Sequence, residues 1–222
     1  PAHWVNAFVV QSFLDEIAHE TGQDPLALRL EMLGRVDEQP YDGHGGPTMT
    51  PGRLARLLEF VAGRIDYGTK RPAGRGVGLA AHFTFGGYAA HAIEVSVSDS
   101  GALTIERIVA AIDCGFAVNP NAVQAQLEGG TIDGISTALG LEITVKGGRV
   151  EQRNFNDYPL MKIDRVPALF EAHIMNYDDI PTGVGEIGPP PAAPALTNAI
   201  YKATGIRIRR LPIASQLREK MT

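Results

Sequence analysis

Residues 76–113 read GVGLAAHFTFGGYAAHAIEVSVSDSGALTIERIVAAID. Val, Ile, Ala and aromatic residues dominate three runs, 76–85, 89–97 and 103–113. Gly86-Gly87 separates the first two runs. Asp99-Ser100-Gly101 separates the second two, and the wider SDSG stretch suits a tight turn. The pattern predicts three consecutive strands.

Outward from this centre the period lengthens. On the N-terminal side, Thr50-Pro51 opens a helix whose apolar face is Leu54, Leu57, Leu58, Val61 and Ile65. Residues 35–50 are rich in Gly and Pro, carry no period and read as a loop. Before it stands a helix with clear punctuation: Asp24 as cap, Pro25 in the first turn and Gly34 as the stop. Residues 5–18 place Val5, Phe8, Val9, Phe13, Leu14 and Ile17 at three- and four-residue spacings, an amphipathic stripe.

On the C-terminal side, Asn119-Pro120 caps a fourth helix running to about Gly140. Val123, Leu127, Ile135 and Leu139 share one of its faces. Gly129, Gly130 and Gly134 leave part of its surface bare, at about 1 kcal/mol each relative to Ala. Close approach of another backbone, or of a flat ligand, would account for them. Lys146-Gly147-Gly148-Arg149 reads as a hairpin turn between 141–145 and 149–155. A strand is expected at 169–175, an alanine-rich helix at about 191–204 ended by Gly205, and a short strand at 206–213. Helices and strands interleave without a regular βαβ rhythm. The expected class is therefore α+β, with mixed sheets and packed helices. Two regions are expected, a helical segment over 1–70 and an α+β portion over 71–222.

Composition narrows the function. The chain has 222 residues, 20 Lys plus Arg against 25 Asp plus Glu, and a formal net charge of -5. No global basic field favours nucleic acid. One cysteine, Cys114, cannot form an internal disulfide or hold a cysteine-based cluster, and its apolar run AIDCGF marks it as a buried small hydrophobe. No apolar stretch is long enough to suggest a membrane span. No metal-ligand spacing joins His3, His19, His44, His82, His91 and His173.

Two glycine patterns imitate a dinucleotide fingerprint. Gly183, Gly185 and Gly188 follow a loop and run into prolines. Gly76, Gly78 and Ala81 lie inside an expected strand. Neither has the strand, turn and helix that the fingerprint requires. The more informative stretch is PTGVGEIGPPPAAPALTN at 181–198. A single ionisable side chain, Glu186, stands there between glycines, just ahead of a proline-started helix. An ionised carboxylate on a tight loop, aimed into a cavity, is what a general base requires; a solvated loop glutamate is the other reading that this stretch alone allows.

Four stretches together carry a family resemblance. They are VNAFVVQSFLDEIAHETGQDPLALRLEML at 5–33, DCGFAVNPNAVQAQLEGGTIDGISTALG at 113–140, GRVEQRNFNDYPLMKIDRVPALFEAHIM at 148–175 and GVGEIGPPPAAPALTNAIYKATGIRIRRLPI at 183–213. Their order resembles the molybdopterin-binding large subunit of the molybdenum hydroxylases, the xanthine dehydrogenase and aldehyde oxidase family. The branch most resembled is that of the isoquinoline 1-oxidoreductase large subunit and the bacterial aldehyde dehydrogenases.

The resemblance implies roles. Glu186, in the GVGE motif, would be the base at the molybdenum centre. Gln126, in the Q-x-E-G motif, would contact the pterin, and the backbone of Val184 and Gly185 would lie close to the metal, with no side chain of this chain as a metal ligand. The implied cofactor is molybdenum-molybdopterin, in its cytosine dinucleotide form, with iron–sulfur clusters carried by a partner subunit. The implied substrate is an aldehyde or an N-heterocycle, with water as the oxygen source. The implied partners are the N-terminal part of the large subunit and the iron–sulfur small subunit.

The sequence also departs from the family's pattern. The chain starts at Pro1, after the place where the family's arginine-bearing stretch stands, and is much shorter than the family's subunit. It is expected to be the C-terminal part of that subunit. The alternative is an inactive scaffold chain that binds a partner without cofactor, through apolar faces bearing Trp4, Phe8 and Phe13. Localisation is not legible.

Overall fold

The computed structural model describes residues 2–34, 48–175 and 178–221. Its centre is a four-stranded mixed sheet in the order β1-β2-β3-β6. β1 (Arg75–Thr84), β2 (Gly87–Val97) and β3 (Leu103–Asp113) run antiparallel as a meander, and β6 (Leu169–Ile174) pairs parallel with β3. The three central strands fall where the sequence predicts. The first hairpin differs by one residue: Phe85 and Gly86, both at positive φ, make the turn, and Gly87 already pairs with Thr84. Gly101, at φ 75°, closes the second turn, in which Ser98 and Ala102 pair.

Both faces of the sheet are covered, so β2 is buried along almost its whole length rather than at alternate residues. On one face α3 (Pro51–Arg64) lays Leu54, Leu57, Leu58, Val61 and Ala62 over Val77, Leu79, Tyr88, Ala90 and Val109. On the other, α4 (Pro120–Gly140) and α5 (Ala192–Thr204) cover Ala80, Ala89, Ile93, Ile108 and Ile112. Small residues let α5 sit close. A Cβ on Gly76 would come within 2.5 Å of Ala199 O and Ala203 N, and one on Gly78 would run into the backbone of Ala195 and Ala199. The glycines that imitate a nucleotide fingerprint are thus a seat for a helix.

α1 (Ala2–Thr21) and α2 (Pro25–Leu33) lie beside this body. Asp24 caps α2 as expected, accepting from the Leu26 and Ala27 amides, and Gly34 ends it at φ 58°. α1 departs from its sequence pattern. Phe8, Leu14 and Ile17 are half-buried and Val5, Val9 and Phe13 are exposed, whereas Gln11, Ser12 and Asp15 are buried. Partners meet two of these side chains: Arg29 Nε donates to Gln11 Oε1 at 3.1 Å, and Arg207 donates to Asp15 at 2.9 Å. Gln11 also reaches the edge of β1, where its Oε1 accepts from Ala81 N, while Asn198 Nδ2 donates to Leu79 O at 3.2 Å.

The loop expected at 35–50 falls mostly on residues outside those described; Met49 and Thr50 lead directly into α3. The hairpin at 146–149 is present but pairs only β4 (Val145–Lys146) with β5 (Arg149–Val150). The strand expected at 206–213 is not formed. Its isoleucines and arginines do alternate, with Ile208 buried and Arg207 held by Asp15, but no strand lies beside its backbone. Instead Ile213 N and Ala214 N donate to Ala138 O and Leu139 O, which fastens the segment to the end of α4 before the short α6 (Gln216–Met221).

Candidate functional site

The 183–191 segment crosses the middle of α4 on its way into α5, and small residues on α4 receive it. A Cβ on Gly130 would lie 3.0 Å from Pro189 Cδ, and one on Gly134 would lie 2.8 Å from Pro189 O and 2.9 Å from Ala192 Cβ. Two of the three expected helix glycines therefore serve close approach, and α4 is continuous through them. Ile187 is fully buried, and its side chain fills the space that a Cβ on Gly87 would need. This explains why residue 87 is glycine although it lies in a strand. Full burial of an isoleucine is worth about 1.5–3 kcal/mol, so Ile187 and Pro189 anchor the segment just beyond Glu186.

Upstream, an ion-pair cluster fixes the chain on both approaches. Arg53 on α3 donates to both oxygens of the fully buried Asp113, at the end of β3, and to Asp179. The Asp113 hydrogen bond is the main reason the Arg53 guanidinium is held still more firmly protonated than usual. Phe116 N donates to Asp179 O and Thr182 N to Cys114 O, so residues 114–116 and 179–182 run side by side toward the loop. Cys114 is buried, as its apolar run suggested, and burial pushes its thiol up.

Glu186 opens onto a cleft of about 660 Å³ lined by Gln126, Gly129, Asp133, Gly185, Glu186 and Trp4, among others. Three of the four expected site residues thus meet in one place. Gln126 and Gly185 touch directly, with Gln126 Nε2 donating to Gly185 O at 2.9 Å. Val184 stands apart from the lining, half-buried with its side chain against the main core. The sequence reading missed Asp133 and Thr137. Helical spacing was the available signal, because Gln126, Gly130, Asp133 and Thr137 fall on one face of α4. Trp4 and Val5 bring the N-terminal end of α1 to the same cleft.

Among the described residues no group of three or more His, Cys, Asp and Glu side chains is arranged to hold a metal ion, and no helix is long and apolar enough to cross a membrane. Among the described residues the lining contains two carboxylates and no Lys or Arg.

Residues 61–167 match the molybdopterin cofactor-binding domain family. Over 215 residues the chain is 31% identical to the beta chain of isoquinoline 1-oxidoreductase from Brevundimonas diminuta, covering 95% of this chain and 25% of that one. Over 216 residues it is 32% identical to a membrane-bound aldehyde dehydrogenase of Gluconacetobacter polyoxogenes, covering 92% and 27%. The chain belongs to the molybdopterin-binding subunits of the xanthine dehydrogenase family. It spans about a quarter of the length of these two relatives. The aldehyde oxidoreductase of Desulfovibrio gigas shares the fold of this family member, with a TM-score of 0.73 at 14% identity over 99% of this chain and 41% of that one.

Proposed function

We propose that this chain forms one wall of the molybdopterin site of an oxidoreductase that converts an aldehyde or an N-heterocycle to its oxygenated product, with water as oxygen donor and Glu186 as general base. The observation that carries this reading is the convergence of Gln126, Gly185 and Glu186 on one cleft with an unusually bare floor. Gly129 and Gly185 line that cleft, neither has a positive φ, and a Cβ on either would meet no described atom within 4 Å. Neither backbone strain nor internal packing demands glycine there, although a mid-helix glycine such as Gly129 costs about 1 kcal/mol. A broad, flat group lying against the backbone fits both, as the pterin would.

When bound, the cofactor supplies the metal that accepts the substrate's electron pair. The rest falls to side chains. Water contributes the oxygen, and each proton released as the carbon–oxygen bond forms needs an acceptor. Glu186 is an exposed carboxylate on a turn fixed from both sides, so it can take a proton at the cleft and return it to solvent. Its neighbour Gln126 offers amide groups to the cofactor's polar edge. Among the described residues the lining carries no Lys or Arg for a phosphate, so the phosphate or cytosine dinucleotide end is assigned to the N-terminal part of the large subunit. Electrons leave through an iron–sulfur partner subunit. Glu186→Gln in the complete assembly keeps the size and polarity of the side chain and removes the base. Molybdenum content should stay unchanged while turnover drops by about 10²–10⁴-fold. Near-normal turnover in that variant would rule out the base assignment.

A further inference from the structure

Gln126 does more than line the cleft. Its amide nitrogen lies 2.9 Å from the Gly185 carbonyl oxygen. A carbonyl can only accept, so the NH₂ end of the amide faces the loop and the orientation of the side chain is fixed. The amide oxygen has no hydrogen-bond partner among the described residues and remains available within the same cleft.

The Gly185 carbonyl belongs to the peptide group that joins Gly185 to Glu186. Holding that oxygen fixes the plane from which the Glu186 Cα emerges, and so the direction of its side chain. Glycine on the near side gives this peptide an otherwise free hinge. On the far side Ile187 is locked into the space beside Gly87, and Pro189 lies on Gly130 and Gly134. Glu186 therefore sits between an apolar anchor and a polar brace. The brace comes from α4, which is itself tied to the sheet where His91 on β2 meets Thr131 at 2.9 Å.

We infer that Gln126 is a positioning residue for Glu186, holding the Gly185–Glu186 peptide in one orientation through the Gly185 carbonyl. The catalytic consequence rests on the base assignment above; the structural one does not. It also differs from a simple cofactor contact, because a brace acts whether or not the cleft is filled.

The test uses the complete molybdenum-containing assembly with Gln126→Ala and Gln126→Glu, beside Glu186→Gln. Backbone hydrogen exchange over residues 185–188, molybdenum content, kcat and KM are measured on each. Loss of one neutral hydrogen bond should speed exchange in this segment about fivefold. Misplacing the base should lower kcat about ten- to a hundredfold. KM should move by less than about twofold, and molybdenum should be retained. Gln126→Glu keeps the length of the side chain but cannot donate as a carboxylate, so it should behave like Gln126→Ala. Unchanged exchange in both variants, or loss of molybdenum with no change in exchange, would overturn the inference. If Glu186→Gln keeps its turnover while exchange still rises in Gln126→Ala, the base assignment fails and the brace stands.

Discussion

His91 is fully buried between β2 and α4, and burial pushes its imidazole down to about 3. Thr131 Oγ1 donates to Leu127 O at 2.7 Å, so the ring must donate to Thr131 from Nε2, which leaves Nδ1 as a bare acceptor. The sign of the pH effect follows. Below about 6.5 the unfolded chain takes up a proton that the folded chain refuses. Stability should therefore fall as pH drops from about 6.5 toward 3, with a limiting slope of about 1.4 kcal/mol per unit for this group. His91→Asn retains a donor for Thr131 and removes the titration, so urea unfolding against pH should show a shallower acid slope. An identical slope would acquit His91. His82, lowered to about 4 by burial and then by His3, keeps part of the effect. Glu171 acts in a lower window. Arg107, then Arg64, hold it down to about 2, and its contribution is lost only as pH falls from about 4.5 toward that value. No histidine role of this kind was legible in the sequence, because His91 and Thr131 stand 40 residues apart. Glu186 was legible for the opposite reason, since its glycine-flanked stretch is local.

The helix-on-strand contact between α5 and β1 governs the next scale. Gly76, Gly78 and Ala80 face a helix that returns Ala195, Ala199 and Ala203. Small residues on both elements set their separation, and α5 begins just past the site loop. Gly78→Ala would force a methyl group into the backbone of Ala195 and Ala199, neither of which can rotate away. Overpacking of this kind costs about 1–3 kcal/mol, so the variant should unfold at lower denaturant than the parent. Gly129→Ala, with open space around its Cβ, should hold or gain stability by comparison. The central strands, the α2 caps and the glycine-ended α5 were legible because each is written in short-range chemistry. The segment 206–213 misled because alternation of Ile and Arg reports which side chains are buried, not whether a neighbouring strand exists to pair with. In this chain its place is beside α4, and its arginines alternate to reach Asp15 and Glu16 on α1.

Across the whole molecule, α1 shows what periodicity alone misjudges. Its apolar stripe was legible, but its partners were not. Arg29, Asn198 and Arg207 come from three distant places to satisfy Gln11 and Asp15, and this leaves Val5 64%, Val9 58% and Phe13 60% exposed on the opposite face. Large apolar side chains clustered on one surface drive association in water. Sedimentation of the 222-residue chain should show concentration-dependent self-association, and Val9→Lys with Phe13→Lys should reduce it without lowering the melting temperature. Identical sedimentation of parent and variant would clear the stripe of that role.

The amides of Gln11 and Asn198 on β1 have a consequence of a different kind. A sheet can lengthen sideways only where a strand offers unoccupied N–H and C=O groups. At the β1 border Ala81 N and Leu79 O are already spoken for by side chains, so an incoming strand would have to displace them first. Lateral growth at β1 therefore carries a cost set by the two side chains that an incoming strand must first dislodge.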